Sequence, residues 1–264
     1  MTPAIDFAEL TYAGLRETNE DAVGVTPFGT GVDDGIVFLM ADGVGASPGG
    51  ATASRIAVEA VASALAMAPR QWPAHRRLRT AVESANLAIY DRALADPRLR
   101  RMRTTLTATA LVGGEVVVAH VGDCRTYLLR AGRLTCLTRD HNWAGQLARL
   151  GLMGREAARR HRHRHLLTRC LGQHPIVRVD VVHRPLYPGD VLCQCSDGLH
   201  CLIAEAELAE VLGAFDPTAA CAALVERSRA RGADDNVSVQ IAALRAAAAT
   251  PAGPTRPAPQ VQVV

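Results

Sequence analysis

Residues 105–138, TLTATALVGGEVVVAHVGDCRTYLLRAGRLTCLT, decide the fold. Thr105–Val112 and Glu115–Val121 are apolar runs separated by Gly113-Gly114, a two-residue linker that predicts a tight hairpin. Arg125–Arg130 and Arg133–Thr138 repeat the arrangement around Ala131-Gly132. Upstream, Ile36–Ala41 (IVFLMA) is a short apolar run stopped by Asp42-Gly43, as expected of a buried strand. Gly50–Ala68 and Pro73–Ala95 carry apolar residues at helical spacing, and Pro73 suits the first turn of the second helix. Downstream, Trp143–His165 is polar, rich in arginine and histidine, and weakly periodic, so it reads as an irregular or short-helical surface insertion. Val177–His183 and Asp190–Cys195 predict two more strands, joined through Pro185, Pro188 and Gly189. Glu205–Leu212 and Pro217–Arg231 read as helices, and Val237–Ala243 as a closing strand. Helices thus come in pairs between blocks of hairpin-linked strands. That predicts an antiparallel α+β layered fold rather than a parallel βαβ sheet. Residues 246–264 are Ala/Pro-rich and are expected to be disordered.

The chain has 264 residues, 48% hydrophobic and 21% charged, enough for one large domain or two small ones with a sizeable core. A net charge of +3 demands neither a nucleic-acid nor a membrane partner. No apolar stretch is long enough to span a bilayer. All 29 basic residues are arginine, which a GC-rich genome explains more simply than a need for guanidinium everywhere. Seven cysteines without a CxxC pair, behind an N-terminus that lacks a secretory pattern, predict a cytoplasmic protein with buried free thiols.

The chemistry lies in where the acids fall. Asp42, Asp123 and Asp197 each follow an expected strand, Asp235 precedes the last one, and Glu20 and Asp21 precede the apolar start of another (NEDAVGV). In antiparallel sheets the end of one strand lies beside the start of its neighbour, so these six carboxylates can gather at one end. Two unit charges about 4 Å apart repel by about 4 kcal/mol at an effective dielectric near 20, so such a cluster calls for cations. Oxygen-only ligands select hard ions such as Mg²⁺ or Mn²⁺. Read singly, each Asp-Gly is an ordinary turn, and position alone does not decide between turns and a metal site.

Eight segments in this order resemble the type 2C (PPM) family of metal-dependent protein phosphatases: GLRETNED (14–21), ADGVGASPGGATAS (41–54), TTLTA (104–108), VGDCR (121–125), LTRDH (137–141), TRCLG (168–172), CSDGL (195–199) and DNVSV (235–239). The resemblance covers residues 5–245. It implies a four-layer αββα sandwich, in which a central antiparallel β-sandwich is flanked by paired antiparallel helices. The implied organisation is a catalytic domain over 1–245, with a flap at 139–166, followed by the tail. Carried over by residue, Asp42 bridges two metals and the Gly43 carbonyl binds the second. Asp197 and Asp235 complete the first metal's shell, and Glu20 and Asp21 support the second, mainly through waters. Asp123 with Asp197 matches a third-metal site, and Arg16 matches the arginine that grips the substrate phosphate. The implied catalytic trio is Asp42, Asp197 and Asp235. The implied activity is hydrolysis of phosphoserine and phosphothreonine by a metal-activated water, with two or three Mn²⁺ or Mg²⁺ ions and no covalent phosphoenzyme. Phosphorylated proteins, a serine/threonine kinase and its substrates are the implied partners, with the enzyme a monomer. A weakly catalytic phosphoprotein-binding module and a phosphatase for another phosphoester are the competing functions. The intact acid set argues against the first of these.

Departures from the family pattern are Val44, where a histidine or methionine is usual, Ala46 and Arg103 in place of glycine, Ala51 in place of glutamate, and Cys124 in place of serine. None removes an expected ligand, but Val44 leaves no obvious side-chain acid for the leaving group. His161, His163 and His165 alternate with arginine and are expected to be a solvated part of the flap rather than a Zn²⁺ site. Cys193 and Cys195 share one face of a strand and are expected in the core, although a soft-metal site with Cys201 is an alternative. Cys124 is either a redox-sensitive thiol or an inert neighbour of Asp123. His141 is expected to fix the start of the flap.

Overall fold

The computed structural model describes residues 5–29, 35–44 and 49–245. The expected disorder of 246–264, and the Ala46 departure, lie outside these residues. Among the described residues, ten strands form two five-stranded sheets in which every pairing is antiparallel. The first sheet orders β1 (Ile5–Tyr12), β10 (Val237–Leu244), β9 (Val191–Cys195), β6 (Arg125–Arg130) and β7 (Arg133–Cys136). The second orders β2 (Asp21–Pro27), β3 (Ile36–Asp42), β4 (Leu106–Val112), β5 (Glu115–Val121) and β8 (Asp180–Pro185). Helices α1 (Gly50–Met67) and α2 (Ala74–Ala95) cover the second sheet, while α6 (Glu205–Ala214) and α7 (Pro217–Ala230) cover the first. Short helices α3 (Trp143–Arg149) and α4 (Arg155–Arg159) make up the flap, and α5 (Asp197–His200) follows β9. This is the expected αββα sandwich.

Three details add to the expected reading or depart from it. Strand β1 is new; it pairs only with β10, and most of its residues are half-buried or exposed, so it has no clean apolar period. The strands joined through Pro185 and Gly189, whose pairing the sequence left open, do not pair with each other: β8 joins β5 and β9 joins β10 and β6, so the chain changes sheets there. Pro73 sits one position earlier than expected, at the N-cap of α2. The two hairpins form as read, and Gly113-Gly114 and Ala131-Gly132 all take positive φ.

Each helical pair buries its apolar stripe on its own sheet. Val61, Leu65, Leu78, Val82 and Ile89 pack on one side, and Leu208, Leu212, Leu224, Val237 and Ile241 pack on the other. The layer between the sheets is graded. Phe38, Leu111, Val116, Val118, Leu128 and Leu192 fill one end with hydrocarbon. Two residues further along these strands the same face carries Thr109, Thr126, Gln194 and Gln240, all buried. Gln194 Nε2 donates to Gln240 Oε1 (3.1 Å) and to the Thr107 carbonyl (3.3 Å), and Gln240 Nε2 donates to the Gly24 carbonyl (3.1 Å), so amides cross-link the sheets. Beyond them, at Thr105, Ser196, Ser238 and Asp42, the layer becomes a pocket of hydroxyls and carboxylates.

Candidate metal centre

Asp42 is the last residue of β3 and lies opposite Asp21, the first residue of β2, in the strand register. The Thr104-Thr105 pair holds Asp42 by its backbone. Its carbonyl accepts from the Thr105 N–H and the Thr104 hydroxyl, both at 2.8 Å, and its N–H donates to Thr105 Oγ1 at 2.9 Å. Gly43 passes so close to the start of α1 that a Cβ would lie 2.5 Å from the Gly50 carbonyl carbon, a contact only glycine permits. The Glu20 carboxylate lies at that same helix start, where the Ala51 N–H partly offsets the rise in pKa that burial causes. Gly49 caps α1 without a side chain, so the Glu20 charge faces the free N–H groups of the helix N-terminus.

Asp197 opens α5, separated from β9 by Ser196, and Asp235 is separated from β10 by Asn236. Their turns touch: a Cβ on Gly198 would lie 2.1 Å from the Asn236 carbonyl oxygen. Asn236 ties this turn to the N-terminal loop. Its Oδ1 accepts from the Glu20 N–H (2.8 Å), and its Nδ2 donates to the carbonyls of Ala13 (2.8 Å) and Thr18 (3.1 Å). Arg16 is anchored there as well. Its Nε donates to the Asp234 carbonyl (3.0 Å), and its Nη2 lies 3.2 Å from Asp235 Oδ2.

Asp123 sits on the turn after β5 and is gripped from three sides. Asn142 Nδ2 donates to Asp123 Oδ2 (3.1 Å), and His200 Nε2 lies 3.0 Å from the Asp123 carbonyl. The Gly122 N–H donates to His141 Nδ1 (3.0 Å), and the His141 N–H donates back to the Gly122 carbonyl (2.7 Å). Asn142 Oδ1 also accepts from the Gly145 N–H (2.8 Å), capping α3 and so joining the flap to the acid. At the flap's other end, His165 Nδ1 lies 3.3 Å from Asp197 Oδ2. That contact corrects the expectation of fully solvated flap histidines; His161 and His163 are themselves half-buried.

The six expected acids fall at one end of the sandwich, near enough to act on one another's protonation. Burial pushes Asp42 and Asp123 well above the ordinary carboxylate range, and neighbouring aspartates push in the same direction: Asp21, Asp197, Asp123 and Asp235 on Asp42, and Asp197 and Asp140 on Asp123. Burial also raises Asp21 to about 7, aided by Asp197 and Asp235. The Ser238 and Ser196 hydroxyls lower it in part, but neither completes a hydrogen bond. Both Asp21 carboxylate oxygens are buried without a partner. Burial raises Glu20 and Asp235 too. Asp197 goes the other way. Burial opposes its charge, yet the His165 contact, His200 and the neighbouring Asp42 outweigh it.

Such a pocket is costly without a counter-charge. Two carboxylate oxygens stripped of water and left unpartnered are suited to a hard cation, and so is the all-oxygen set around them. Among the described residues, no three His, Cys, Asp or Glu side chains are already drawn together tightly enough to hold one ion. The soft-metal alternative is not formed either: Cys193 and Cys195 lie in the core under α6 and α7. Cys124 is fully buried, contacts Thr105 Oγ1 at 3.2 Å, and has its thiol pushed well above the ordinary range by burial and by Asp42. It is therefore the inert neighbour, not a reactive thiolate.

The acids were visible in the sequence, but their holders were not. Thr104, Thr105, Asn142, His200 and Asn236 received no role from sequence, although most stand inside the quoted motifs. The one available signal was proximity, since each lies within three residues of, or in a motif beside, an acid or its strand.

Fold and pocket together define a class, the αββα phosphoester hydrolases that work through divalent cations. The family model described as Protein phosphatase 2C matches residues 16–243, and the chain belongs to that family. The serine/threonine phosphatase stp of Listeria monocytogenes is 32% identical over 229 residues, covering 85% of this chain and 90% of the relative. The crystal structure of the PPM Ser-Thr phosphatase MsPP from Mycobacterium smegmatis in complex with cacodylate is 36% identical, with a TM-score of 0.79 over 92% of this chain and 100% of that one. The catalytic domain of the serine threonine protein phosphatase PstP in complex with two manganese ions is 30% identical, with a TM-score of 0.78 over 92% and 99%.

Proposed function

We propose that this chain is a protein serine/threonine phosphatase that hydrolyses phosphoserine and phosphothreonine with Mn²⁺ or Mg²⁺. The observation that carries the reading is the convergence of six acids at one end of the sandwich, two of whose oxygens are buried and unpartnered, beside the Arg16 guanidinium. The stp and MsPP relatives are named as phosphatases of this substrate class, and the PstP domain holds two manganese ions, which supports the same cofactor here.

In this reading Asp42, Asp197 and Asp235, with the Gly43 carbonyl, Glu20 and Asp21, hold two cations, and Asp123 with Asp197 holds a third. Bound cations supply Lewis acidity and a lowered pKa for water. The chain's own residues do the rest. Arg16, fixed by Asp234 and Asp235, presents a planar fork to two phosphate oxygens. Thr104, Thr105 and Asn236 keep Asp42 and Asp235 in place. The catalytic domain spans 1–245 with its flap at 139–166 and its tail at 246–264, an extent that the family match over 16–243 supports. Substrates are phosphorylated proteins, the opposing enzyme is a serine/threonine kinase, and the phosphatase works as a monomer. A cytoplasmic location is supported by seven free cysteines. Among the described residues no helix is long and apolar enough to cross a membrane.

The test is hydrolysis of an aryl phosphate by purified protein with Mn²⁺ or Mg²⁺, then with EDTA. Activity should require metal, and Asp197→Ala should abolish it. Arg16→Ala should raise KM. Wild-type and Asp197→Ala proteins behaving alike would remove the reading. Efficient cleavage of phosphotyrosine peptides would overturn the substrate class.

A further inference from the structure

The flap holds far more positive charge than the activity alone requires. Residues 139–166 contain seven arginines against Asp140 and Glu156, a net of +5 where the entire chain has +3. The remainder of the protein is thus net negative, and six of its acids lie at the end of the sandwich beside the flap. Asp140 is already committed: it takes two hydrogen bonds from Arg125 at 2.9 and 2.7 Å. Arg149 and Arg162 are exposed, and among the described residues neither has an ion-pair partner. Beside them the flap exposes Trp143, Leu150, Leu152 and Leu166. The backbone joins the flap's two ends, since the Trp143 N–H donates to the Leu166 carbonyl at 2.9 Å. Both ends touch the site, through Asn142 to Asp123 and through His165 to Asp197.

We infer that the flap is a docking surface for acidic segments flanking the phosphorylated residue of a protein substrate. The inference rests on the phosphatase reading and adds the substrate class to it. The acidic residues that flank the phosphate lie outside the pocket, beyond the cations that its carboxylates hold in this reading. Exposed arginines such as Arg149 and Arg162, on a flap that touches the site at both ends, raise the local concentration of anionic chain there. The interspersed apolar side chains accept the non-acidic residues of the same segment. Guanidinium suits the task because it grips carboxylates in a fork and packs against apolar surface.

The experiment compares three phosphothreonine peptides that differ only in flanking residues, glutamate, alanine or lysine, with an aryl phosphate as the uncharged-flank reference. The wild type with Mn²⁺ should prefer the glutamate peptide over the lysine peptide by about tenfold in kcat/KM at low ionic strength, as two surface ion pairs would give. That ratio should shrink to about twofold in roughly 0.5 M salt, where the Debye length falls below about 5 Å. The double variant Arg149→Glu/Arg162→Glu should reverse the order of the peptides. Equal kcat/KM for the three peptides, with aryl phosphate still hydrolysed, would overturn the docking surface alone, as would a double variant that keeps the wild-type order. No hydrolysis of any peptide or of aryl phosphate would remove the phosphatase reading and the docking surface with it.

Discussion

Replacing Asp21 by asparagine should make the metal-free protein more stable, and increasingly so as pH rises. Asp21 has its folded-state pKa raised from 3.8 to about 7 by burial, with Asp197 and Asp235 adding to the effect. Between these two values the folded state binds a proton that the unfolded state has lost, so this group's contribution to stability falls as pH rises through that window and levels off above it. At 1.36 kcal/mol per unit, the penalty is on the order of 1–2 kcal/mol at pH 5 and about 4 kcal/mol at pH 8. Two buried imidazoles act in the opposite sense. Burial pushes His120 down to about 3 and His200 to about 4, so their stability is fully present above about 6.5 and is lost as pH falls. The wild-type curve therefore mixes both effects, while the difference between wild type and Asp21→Asn cancels the imidazoles and reports Asp21 together with its effect on Asp42. Urea unfolding in EDTA should show the variant's advantage growing by roughly 2–3 kcal/mol from pH 5 to pH 8. Mn²⁺ at pH 8 should shrink it, because a ligand at 100 times its Kd stabilises the protein that binds it by about 2.7 kcal/mol, and at about 1,000 times its Kd by about 4 kcal/mol, enough to cancel it. A difference that stays flat with pH would refute the buried-charge account of this position.

Other residues give sharper local tests. Asn142→Ala removes both the α3 cap and the Asp123 contact, and should cost about 1–3 kcal/mol of stability while raising the Mn²⁺ concentration needed for half-maximal activity. Asn142→Ser, which keeps a cap, should recover the stability but not the metal requirement. Gly198→Ala drives a Cβ to 2.1 Å from the Asn236 carbonyl, so it should lower the melting temperature and activity together, as a scanning-calorimetry and turnover comparison would show. Cys124 should resist alkylation in the native protein at pH 8 and react only on unfolding. Labelling of folded protein at a rate near that of a free thiol would contradict its burial.

Much of this molecule can be read along the chain because the interlayer repeats every two residues. Phe38, Met40 and Asp42 show it on β3, and Leu111, Thr109, Thr107 and Thr105 show it on β4. The hairpins are legible because Gly113-Gly114 is a local signal. Strand β1 is not, because IDFAELTY is mostly half-buried or exposed and its pairing with β10 spans more than two hundred residues. The parting of β8 from β9 is hidden for the same reason: nothing within Pro185–Gly189 says which sheet each strand will join. In the pocket, acids at strand ends stand out because few groups are so costly to bury. Asn236 and Thr105 do not, since asparagine and threonine are common in turns and strands, and only the fold reveals that each bridges elements far apart in the chain.

The graded layer between the sheets has a mechanical consequence. Hydrocarbon seals one end of the seam, amides lace its middle, and the last stretch depends on whatever neutralises the carboxylates. The sandwich therefore behaves as a hinged book whose spine is oily and whose open edge closes by electrostatics. Changes in ion occupancy should be felt first at that edge, in the breathing of Asp42, Ser196 and the flap tethered to them, while the spine stays shut.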